Sequence, residues 1–274
     1  MAARRKPRSA SRTLKLTVAY DGTDFAGWQI QAGGQPTEPH AARKWRPASA
    51  GRPTVQGTLQ RVLRQILQEP VSIIGSGRTD AGAHALGQVA HVITRSRITP
   101  SRLRHGLNSL LPPSITVRAV EDAPASFHAR SSAISKRYRY TIVRDVPLPF
   151  ERRYVHHVRV PLDVRLMQRE AKALLGRHDF RAFQRTGGAV EDTRRRITKA
   201  VLRRSADRLV FEIEGTGFLY TMVRSIVGTL IDVGRGRLPA GAISAALRRR
   251  DRRLVGPTAP ANGLCLVEVA YRNR

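Results

Sequence analysis

The sequence contains almost no cysteine and no long apolar run. Cys265 is the only cysteine among 274 residues, which excludes an internal disulfide and any metal cluster built from several cysteines. A reducing, cytoplasmic environment is therefore expected. No apolar segment reaches the roughly 20 residues that a membrane-spanning helix needs, so we predict no membrane association.

Acidic residues are also scarce. The chain has 20 Asp and Glu against 49 Lys and Arg, which gives a formal net charge of +29. Such an excess favours a polyanionic partner such as nucleic acid, because each phosphate that a protein neutralises releases bound counterions. A genome biased towards arginine codons, or a generally supercharged surface, would produce the same imbalance. Charge alone does not decide between these interpretations.

Two segments lack the pattern of a folded element. Residues 1–12 carry five basic side chains with no apolar stretch behind them, which is unlike a secretory signal. We predict a disordered basic arm there, which either contacts RNA or is simply solvated. Residues 32–53 contain four prolines and three glycines, the composition of a long loop.

The remaining pattern predicts an α+β protein. In residues 13–120, apolar alternation, capping residues and turn signals give the order strand, helix, strand, strand, helix, strand. This is the split βαβ arrangement of ferredoxin-like domains. The predicted elements are strand 14–20, a helix from Thr54 to before Pro70, strands 71–74 and 89–93 around a loop of residues 75–88, a helix capped by Thr99, and strand 115–120.

A similar order recurs in residues 121–274. The predicted elements are strand 137–143, a helix from Asp163 to Gly176, strands 201–203 and 209–213, a helix from Gly217 to Val233, and strand 264–271. We therefore expect two ferredoxin-like halves that share a central, mainly antiparallel sheet flanked by helices. A cleft between the halves is a natural place for a substrate.

Asp80 is the only acidic residue between Glu69 and Glu121. It lies in the segment Gly75-Ser-Gly-Arg-Thr-Asp-Ala-Gly-Ala-His84, whose glycines permit a tight turn. The guanidinium of Arg78 nearby favours an ionised carboxylate, as a nucleophile or base requires. A lone carboxylate argues against a local two-metal nuclease site and a glycosidase-type pair, unless the other half supplies a second one. A structural aspartate that caps a turn explains the residues equally well.

The same segment resembles a known family. Gly77-Arg-Thr-Asp-Ala-Gly-Ala-His84, followed by Gly87-Gln-Val-Ala-His91, is similar to the signature of the tRNA pseudouridine synthase A family. Further matches follow in the family's order over nearly the whole chain. They are Tyr20-Asp-Gly22 with Gly27-Trp-Gln29, Thr54-Val-Gln56, Leu107-Asn108 with Leu111-Pro112, Phe127-His-Ala-Arg130, Lys136-Arg-Tyr-Arg-Tyr140, Gly176 with Asp179-Phe180, and Gly217-Phe-Leu-Tyr-Thr-Met-Val-Arg224.

The resemblance implies the pseudouridine synthase fold and a function. The expected reaction is the isomerisation of uridine to pseudouridine in the anticodon arm of tRNA, around positions 38 to 40, with no cofactor and no metal. Asp80 would attack the target nucleotide, the glycosidic bond would break, and uracil would rotate and rejoin through carbon. A stacked base must first be extruded, at a cost of a few kcal/mol. The family also implies a homodimer in which one tRNA contacts both subunits.

Two partners of Asp80 follow from the resemblance. Arg224 lies in an otherwise apolar predicted helix, so its charge must be paired or functional. The family places it beside Asp80, where it would keep the carboxylate ionised and oriented. Tyr138 and Tyr140 share one face of a predicted strand. The family position of Tyr138 packs against the target base, whereas we assign Tyr140 to the core.

The remaining candidate residues have weaker assignments. Arg78 would either pair with Asp80 or occupy the gap that the extruded base leaves. His128 and Arg130 are predicted to contact the RNA backbone, with a solvated loop as the alternative. A turn hydrogen bond is the expected role of His84, which lacks the spaced partners of a metal site.

The chain also departs from the family pattern. Residues 32–53 resemble an insertion, either a flexible RNA contact or mere lengthening. Ser131 stands where the family often has an aromatic residue, and Thr221 replaces a more usual Asn or His. The basic stretch Arg194–Arg204 is either an RNA face or a solvated surface. A catalytically silent RNA-binding protein and a metal-dependent nuclease remain the competing hypotheses.

Overall fold

A computed structural model of the protein describes residues 10–30, 51–185 and 191–272. The predicted basic arm and the predicted insertion therefore lie mostly outside the described residues. The predicted end of the arm is wrong, because Arg12, which was assigned to the arm from composition, is the first residue of a strand. Its guanidinium donates hydrogen bonds to the backbone oxygens of Ser96 and Ile98 and pairs with Asp122.

The first half of the fold has the predicted order of elements. They are β1 (Arg12–Tyr20), α1 (Val55–Leu67), β2 (Ile73–Gly75), β3 (His84–Thr94), α2 (Pro100–Leu110) and β4 (Ile115–Ala123).

The second half adds two short strands and one helix to the predicted order. Its elements are β5 (Ala133–Val143), β6 (His156–His157), α3 (Val164–Lys172), β7 (Gly176–Asp179), β8 (Arg194–Ser205), β9 (Arg208–Gly215), α4 (Met222–Gly234), α5 (Ala242–Arg249) and β10 (Leu264–Tyr271). The sequence pattern did not predict β6, β7 or α5.

Within the described residues, ten strands form one sheet in the order β4-β1-β3-β10-β5-β9-β8-β7, with β2 beside β3 and β6 beside β5. The first half has the order β4-β1-β3-β2, and the second half repeats it as β10-β5-β9-β8, which is the split βαβ arrangement twice. The halves join where β10 pairs in parallel with β3, at Cys265 with His84. The prediction of two such halves sharing a mainly antiparallel sheet is confirmed.

The first two helices begin where their capping residues predict. The hydroxyl oxygen of Thr54 accepts a hydrogen bond from the backbone N–H of Gly57 at 3.1 Å, and α1 starts at the next residue, Val55. The hydroxyl of Thr99 does the same for the N–H of Arg102, and Pro100 fills the first position of α2. Each cap satisfies a donor that the helix itself leaves free, and contributes about 1 kcal/mol.

One face of the sheet builds the core. In β1 the side chains of Leu14, Leu16 and Val18 are fully buried, whereas the residues between them are partly exposed. Apolar side chains of the flanking helices join these in a continuous cluster that extends across both halves. Each fully buried aliphatic side chain stabilises the fold by roughly 1.5–3 kcal/mol.

Two predicted helix boundaries are wrong. The helix predicted from Gly217 begins only at Met222, because the preceding Thr221 adopts a left-handed conformation with φ 59°. The helix predicted to end at Gly176 ends at Lys172, and Gly176 instead starts β7. Both errors arise where local backbone conformation overrides apolar periodicity.

The loop around Asp80 is shorter than predicted. β3 begins at His84, so the connection between β2 and β3 covers residues 76–83 instead of 75–88. β4 runs to Ala123, past the predicted division at residue 120, and the division of roles between the two halves stays a prediction. No helix among the described residues is long and apolar enough to cross a membrane.

Candidate active site

Residues 76–83, the Asp80 loop, connect β2 to β3 at the junction of the two halves. The backbone N–H of Ala83 donates a 3.1 Å hydrogen bond to the carbonyl oxygen of Asp80 and closes a turn at the tip of the loop. The N–H of Trp28 donates to the carbonyl oxygen of Thr79 at 3.2 Å. These bonds on both sides of Asp80 fix the backbone from which the carboxylate projects.

Two glycines before Trp28 allow the chain to pass directly beneath the Asp80 loop. A Cβ atom on Gly22 would lie 1.9 Å from the carbonyl oxygen of Ala83, far inside van der Waals contact. A Cβ on Gly27 would lie 2.6 Å from the carbonyl oxygen of Thr79, and Gly27 has a φ of +97°. The approach of two backbones therefore requires glycine at both positions.

Arg224, the third residue of α4, meets Asp80 across the junction of the halves. Its Nη1 donates a hydrogen bond of 2.6 Å to Asp80 Oδ2, although 144 residues separate the two in sequence. Its Nε donates to the carbonyl oxygen of Ala259 at 2.7 Å, which fixes the plane of the guanidinium. Only 18% of the Arg224 side chain and 12% of the Asp80 side chain are exposed, so water screens the pair weakly.

The contact leaves one oxygen of the carboxylate available. Among the described residues, Asp80 Oδ1 has no hydrogen-bond partner, whereas Oδ2 is held by Arg224. A carboxylate with one oxygen anchored and the other without a hydrogen-bond partner is arranged to act as a nucleophile or a base.

Tyr138 forms a wall next to this carboxylate. It lies on β5, and only 7% of its surface is exposed. Burial raises the pKa of its hydroxyl, and the neighbouring Tyr20 and Asp80 raise it further, so Tyr138 is a neutral phenol at physiological pH. The ring of Phe218, which lies just before α4, packs edge-on against it with centroids 5.0 Å apart. Aromatic side chains beside a carboxylate suit a pocket for a planar base.

Comparison with known proteins decides the family. A sequence profile described as tRNA pseudouridine synthase matches residues 17–130 and 171–272, more than half of the chain. The chain belongs to the tRNA pseudouridine synthase family. Curated relatives named tRNA pseudouridine synthase A from Moorella thermoacetica, Acetivibrio thermocellus and Halalkalibacterium halodurans are 46%, 42% and 45% identical to it. The alignments cover 94%, 95% and 92% of this chain and 99%, 100% and 90% of those relatives.

The matched ranges contain both members of the central ion pair. The first range includes Asp80, and the second includes Arg224. Tyr138 lies between the two ranges but within a chain that aligns over nearly its full length with family members.

The remaining candidate residues form no hydrogen bond or ion pair with the Asp80 carboxylate among the described residues. Arg78 is exposed and forms no ion pair with Asp80 among the described residues. The Nδ1 of His128 accepts backbone hydrogen bonds from Arg130 and Ser131, both at 3.2 Å, so this nitrogen is engaged in a turn. The side chain of Arg130 itself is exposed.

His84 has the role expected of a residue that stabilises a turn. Its Nδ1 accepts a hydrogen bond from the backbone N–H of Gly22 at 3.1 Å, and its Nε2 lies 2.8 Å from the carbonyl oxygen of Arg153. The same Nδ1 lies 3.2 Å from Asp21 Oδ1, so the ring also contacts the carboxylate that follows β1. No group of three or more His, Cys, Asp or Glu in the described ranges could hold a metal ion.

Lys136 is a site residue that sequence reasoning missed. It belongs to the matched segment Lys136–Tyr140, but nothing in the pattern indicates which atoms its side chain contacts. In the structure its Nζ donates a 2.6 Å hydrogen bond to the carbonyl oxygen of Ser76, the first residue of the Asp80 loop. Burial, together with the charges of Arg130 and Arg195, lowers the pKa of Lys136 to about 8.

The basic stretch that begins β8 divides between the two faces of the sheet. On the outer face, Lys199 Nζ lies 2.9 Å and Arg203 Nη1 4.0 Å from Glu212 Oε2. On the opposite face, Lys136 and Ile197 both lie across from Gly215, so Arg195, two residues before Ile197, lies on the same side of the sheet as Lys136. The charges of the stretch therefore do not all lie on one surface, and whether any of them contacts RNA stays a prediction.

Proposed function

We propose that the protein isomerises uridine to pseudouridine in tRNA, with Asp80 as the nucleophilic carboxylate. The observation that carries this proposal is the hydrogen bond between Arg224 Nη1 and Asp80 Oδ2. This bond joins the two halves of a family member, and water screens the two charges only weakly because both side chains are largely buried. The bond leaves Asp80 Oδ1 free to react. A purely structural ion pair gives no reason for the adjoining aromatic wall of Tyr138 and Phe218.

The reaction exchanges one glycosidic bond for another. The bond between C1′ of ribose and N1 of uracil breaks, the uracil turns, and C1′ bonds to C5. The hydrogen on C5 leaves as a proton and N1 gains one, so no oxidant, reductant or other reactant is consumed. Asp80 would attack the target nucleotide as the C1′–N1 bond breaks, and the bond that it forms would break again when C1′ bonds to C5, which restores the carboxylate. Arg224 would hold this carboxylate in position.

The other candidates would act on the RNA around the target. Tyr138 would pack against the uracil, and exposed Arg78 would fill the gap that the extruded base leaves in its helix. Arg130 and His128 would contact the RNA backbone, although the turn hydrogen bonds of His128 favour Arg130 for this role. The net charge of +29 would strengthen binding to any RNA, independently of sequence.

The finer substrate assignment rests on family resemblance. The relatives are named tRNA pseudouridine synthase A, and we infer the same tRNA substrate for this chain, at uridines 38 to 40 of the anticodon arm. A homodimer in which one tRNA contacts both subunits, catalysis without a cofactor, and a cytoplasmic location belong to the same proposal.

Tritium release from tRNA labelled at uridine C5 tests this function, because C5 loses its hydrogen when it bonds to C1′. We expect release that continues in EDTA and disappears in Asp80→Asn, while tRNA binding persists. Asp207→Asn is a matched control, because Asp207 lies in the β8–β9 connection, which occupies in the second half the position of the Asp80 loop in the first. This variant should release tritium as the wild type does.

The competing hypotheses predict different results. A catalytically silent RNA-binding protein would bind tRNA and release no tritium. A nuclease would cleave the RNA and lose activity in EDTA. Unchanged release by Asp80→Asn would contradict the assignment of Asp80 even if the overall activity were confirmed.

A further inference from the structure

We propose that Lys136, Arg130 and Arg195 form a binding site for one phosphate of the RNA backbone, beside the Asp80 loop. The proposal rests on the proposed function, because the phosphate is one that flanks the extruded uridine. The three residues come from separate elements. Lys136 lies on β5, Arg195 on β8, and Arg130 in the connection between β4 and β5.

Lys136 connects this site to the Asp80 loop. It lies on the same face of β5 as Tyr138 and two residues before it, a distance of about 6.5 Å along a strand. Its Nζ donates a hydrogen bond to the carbonyl oxygen of Ser76, and a Cβ on Gly77 would lie 2.8 Å from this nitrogen. The ammonium group is therefore packed against the start of the loop that carries Asp80.

Arg195 borders the aromatic wall. Its Nε would lie 3.5 Å from a Cβ on Gly217, the residue that precedes Phe218. Its Nη1 donates hydrogen bonds to the backbone carbonyl oxygens of Asp192 and Arg194, at 2.8 and 2.6 Å. These bonds orient the guanidinium without neutralising its charge, because both acceptors are uncharged.

The three cations lack a carboxylate partner. Among the described residues none of the three forms an ion pair, whereas on the outer face of the sheet Glu212 pairs with Arg139 and Lys199. Burial lowers the pKa of Lys136, and the charges of Arg130 and Arg195 lower it further, so each of these two arginines repels the ammonium group. A bound anion would relieve this repulsion.

The position of the site favours a backbone phosphate as that anion. The cations lie beside the pocket of Asp80 and Tyr138, so they would contact the backbone of the extruded nucleotide and not its base. Lys and Arg are the usual partners of RNA phosphates, and such contacts position the nucleic acid without reading its sequence.

Neutral linkages in the RNA provide the test. The ligand is a fluorescein-labelled hairpin with the sequence of a tRNA anticodon arm, in which one linkage at a time near the target uridine is replaced by a methylphosphonate. Affinity is measured by fluorescence anisotropy at one fixed salt concentration, with full-length wild type and Arg195→Gln. On the unmodified hairpin, Arg195→Gln should bind about tenfold more weakly, as expected for one charge-assisted hydrogen bond.

The proposal predicts that one particular linkage is coupled to Arg195. At that linkage a methylphosphonate should weaken wild-type binding about tenfold and weaken Arg195→Gln almost no further. Arg130→Gln should show the same coupling at the same linkage. If Arg195→Gln lost the same factor in affinity relative to wild type on every hairpin, no linkage would be coupled to Arg195, and the proposal would be overturned.

Two further variants separate this site from general effects. Arg196→Gln removes the same charge from the next residue of β8, which faces the other side of the sheet, and should be coupled to none of these linkages. Lys136→Arg should retain affinity that Lys136→Gln loses. If Lys136→Gln does not fold, Arg195 and Arg130 still decide the question. A hairpin that binds but is never isomerised would contradict the proposed function and leave the coupling result valid.

Discussion

Removal of the Arg224 side chain is expected to destabilise the fold and stop catalysis together. In Arg224→Gln the charge-assisted bond to Asp80 is lost, which costs about 1.5–3 kcal/mol, and the bond to the carbonyl oxygen of Ala259 is lost for about 1 kcal/mol more. The Asp80 carboxylate, 12% exposed, then lacks its partner. We expect a loss of about 3 kcal/mol in the free energy of unfolding, consistent with other broken buried pairs.

A double-mutant cycle tests the reasoning behind this magnitude. Urea unfolding of wild type, Asp80→Asn, Arg224→Gln and the double variant should give a coupling energy of about 2 kcal/mol. The first substitution already breaks the ion pair, so the second one has no further interaction between the two side chains to remove. Arg237→Gln, at an exposed position after α4, is the control and should change stability by less than about 0.5 kcal/mol. Losses that add to within about 0.3 kcal/mol would refute the claim that the two side chains depend on each other.

Three further predictions concern the surroundings of the pair. Gly22→Ala should cost more than about 2 kcal/mol in urea unfolding and reduce tritium release, because its Cβ would lie 1.9 Å from a carbonyl oxygen of the Asp80 loop. Thr221→Asn should raise the melting temperature by about 2–4 °C, because asparagine tolerates φ 59° better than a β-branched residue does; an unchanged or lower value would contradict strain at Thr221. Burial and the charges of Arg130 and Arg195 lower the folded-state pKa of Lys136 from 10.5 to about 8, so between pH 8 and 10.5 the unfolded chain binds a proton that the folded chain has lost. The contribution of Lys136 to stability should therefore rise with pH in this window by at most about 1.4 kcal/mol per pH unit. The difference in urea midpoint between wild type and Lys136→Met should grow accordingly, and a difference that stays constant with pH would contradict this prediction.

Local signals explain why the first half of the fold was predicted well. The caps at Thr54 and Thr99 and the alternation from Leu14 to Tyr20 are interactions between residues close in sequence, so the sequence displays them directly. The start of α4 was mispredicted because apolar periodicity continues before Thr221, whose left-handed backbone prevents the helix from starting earlier than Met222. A threonine in the sequence does not predict a left-handed backbone conformation.

The site depends on contacts between residues far apart in sequence. The bond between Asp80 and Arg224 spans 144 residues. The sequence pattern alone predicted only that Arg224, in an apolar helix, must be paired or functional, without indicating its partner. Family resemblance supplied the partner, and the structure supplied the geometry. Lys136 was missed because its contact with Ser76 depends on how β5 lies against the Asp80 loop, a tertiary relation that no spacing within one segment encodes.

Pseudouridine formed in one turnover tests the central claim most directly. Excess enzyme is mixed with a single tRNA, and the product is measured after digestion to nucleosides, with tRNA binding measured in parallel for each variant. Wild type should convert one or more anticodon-arm uridines to completion, and Asp80→Asn should bind the tRNA with similar affinity and form no pseudouridine. Pseudouridine formed by Asp80→Asn at the wild-type rate would contradict the account of this site.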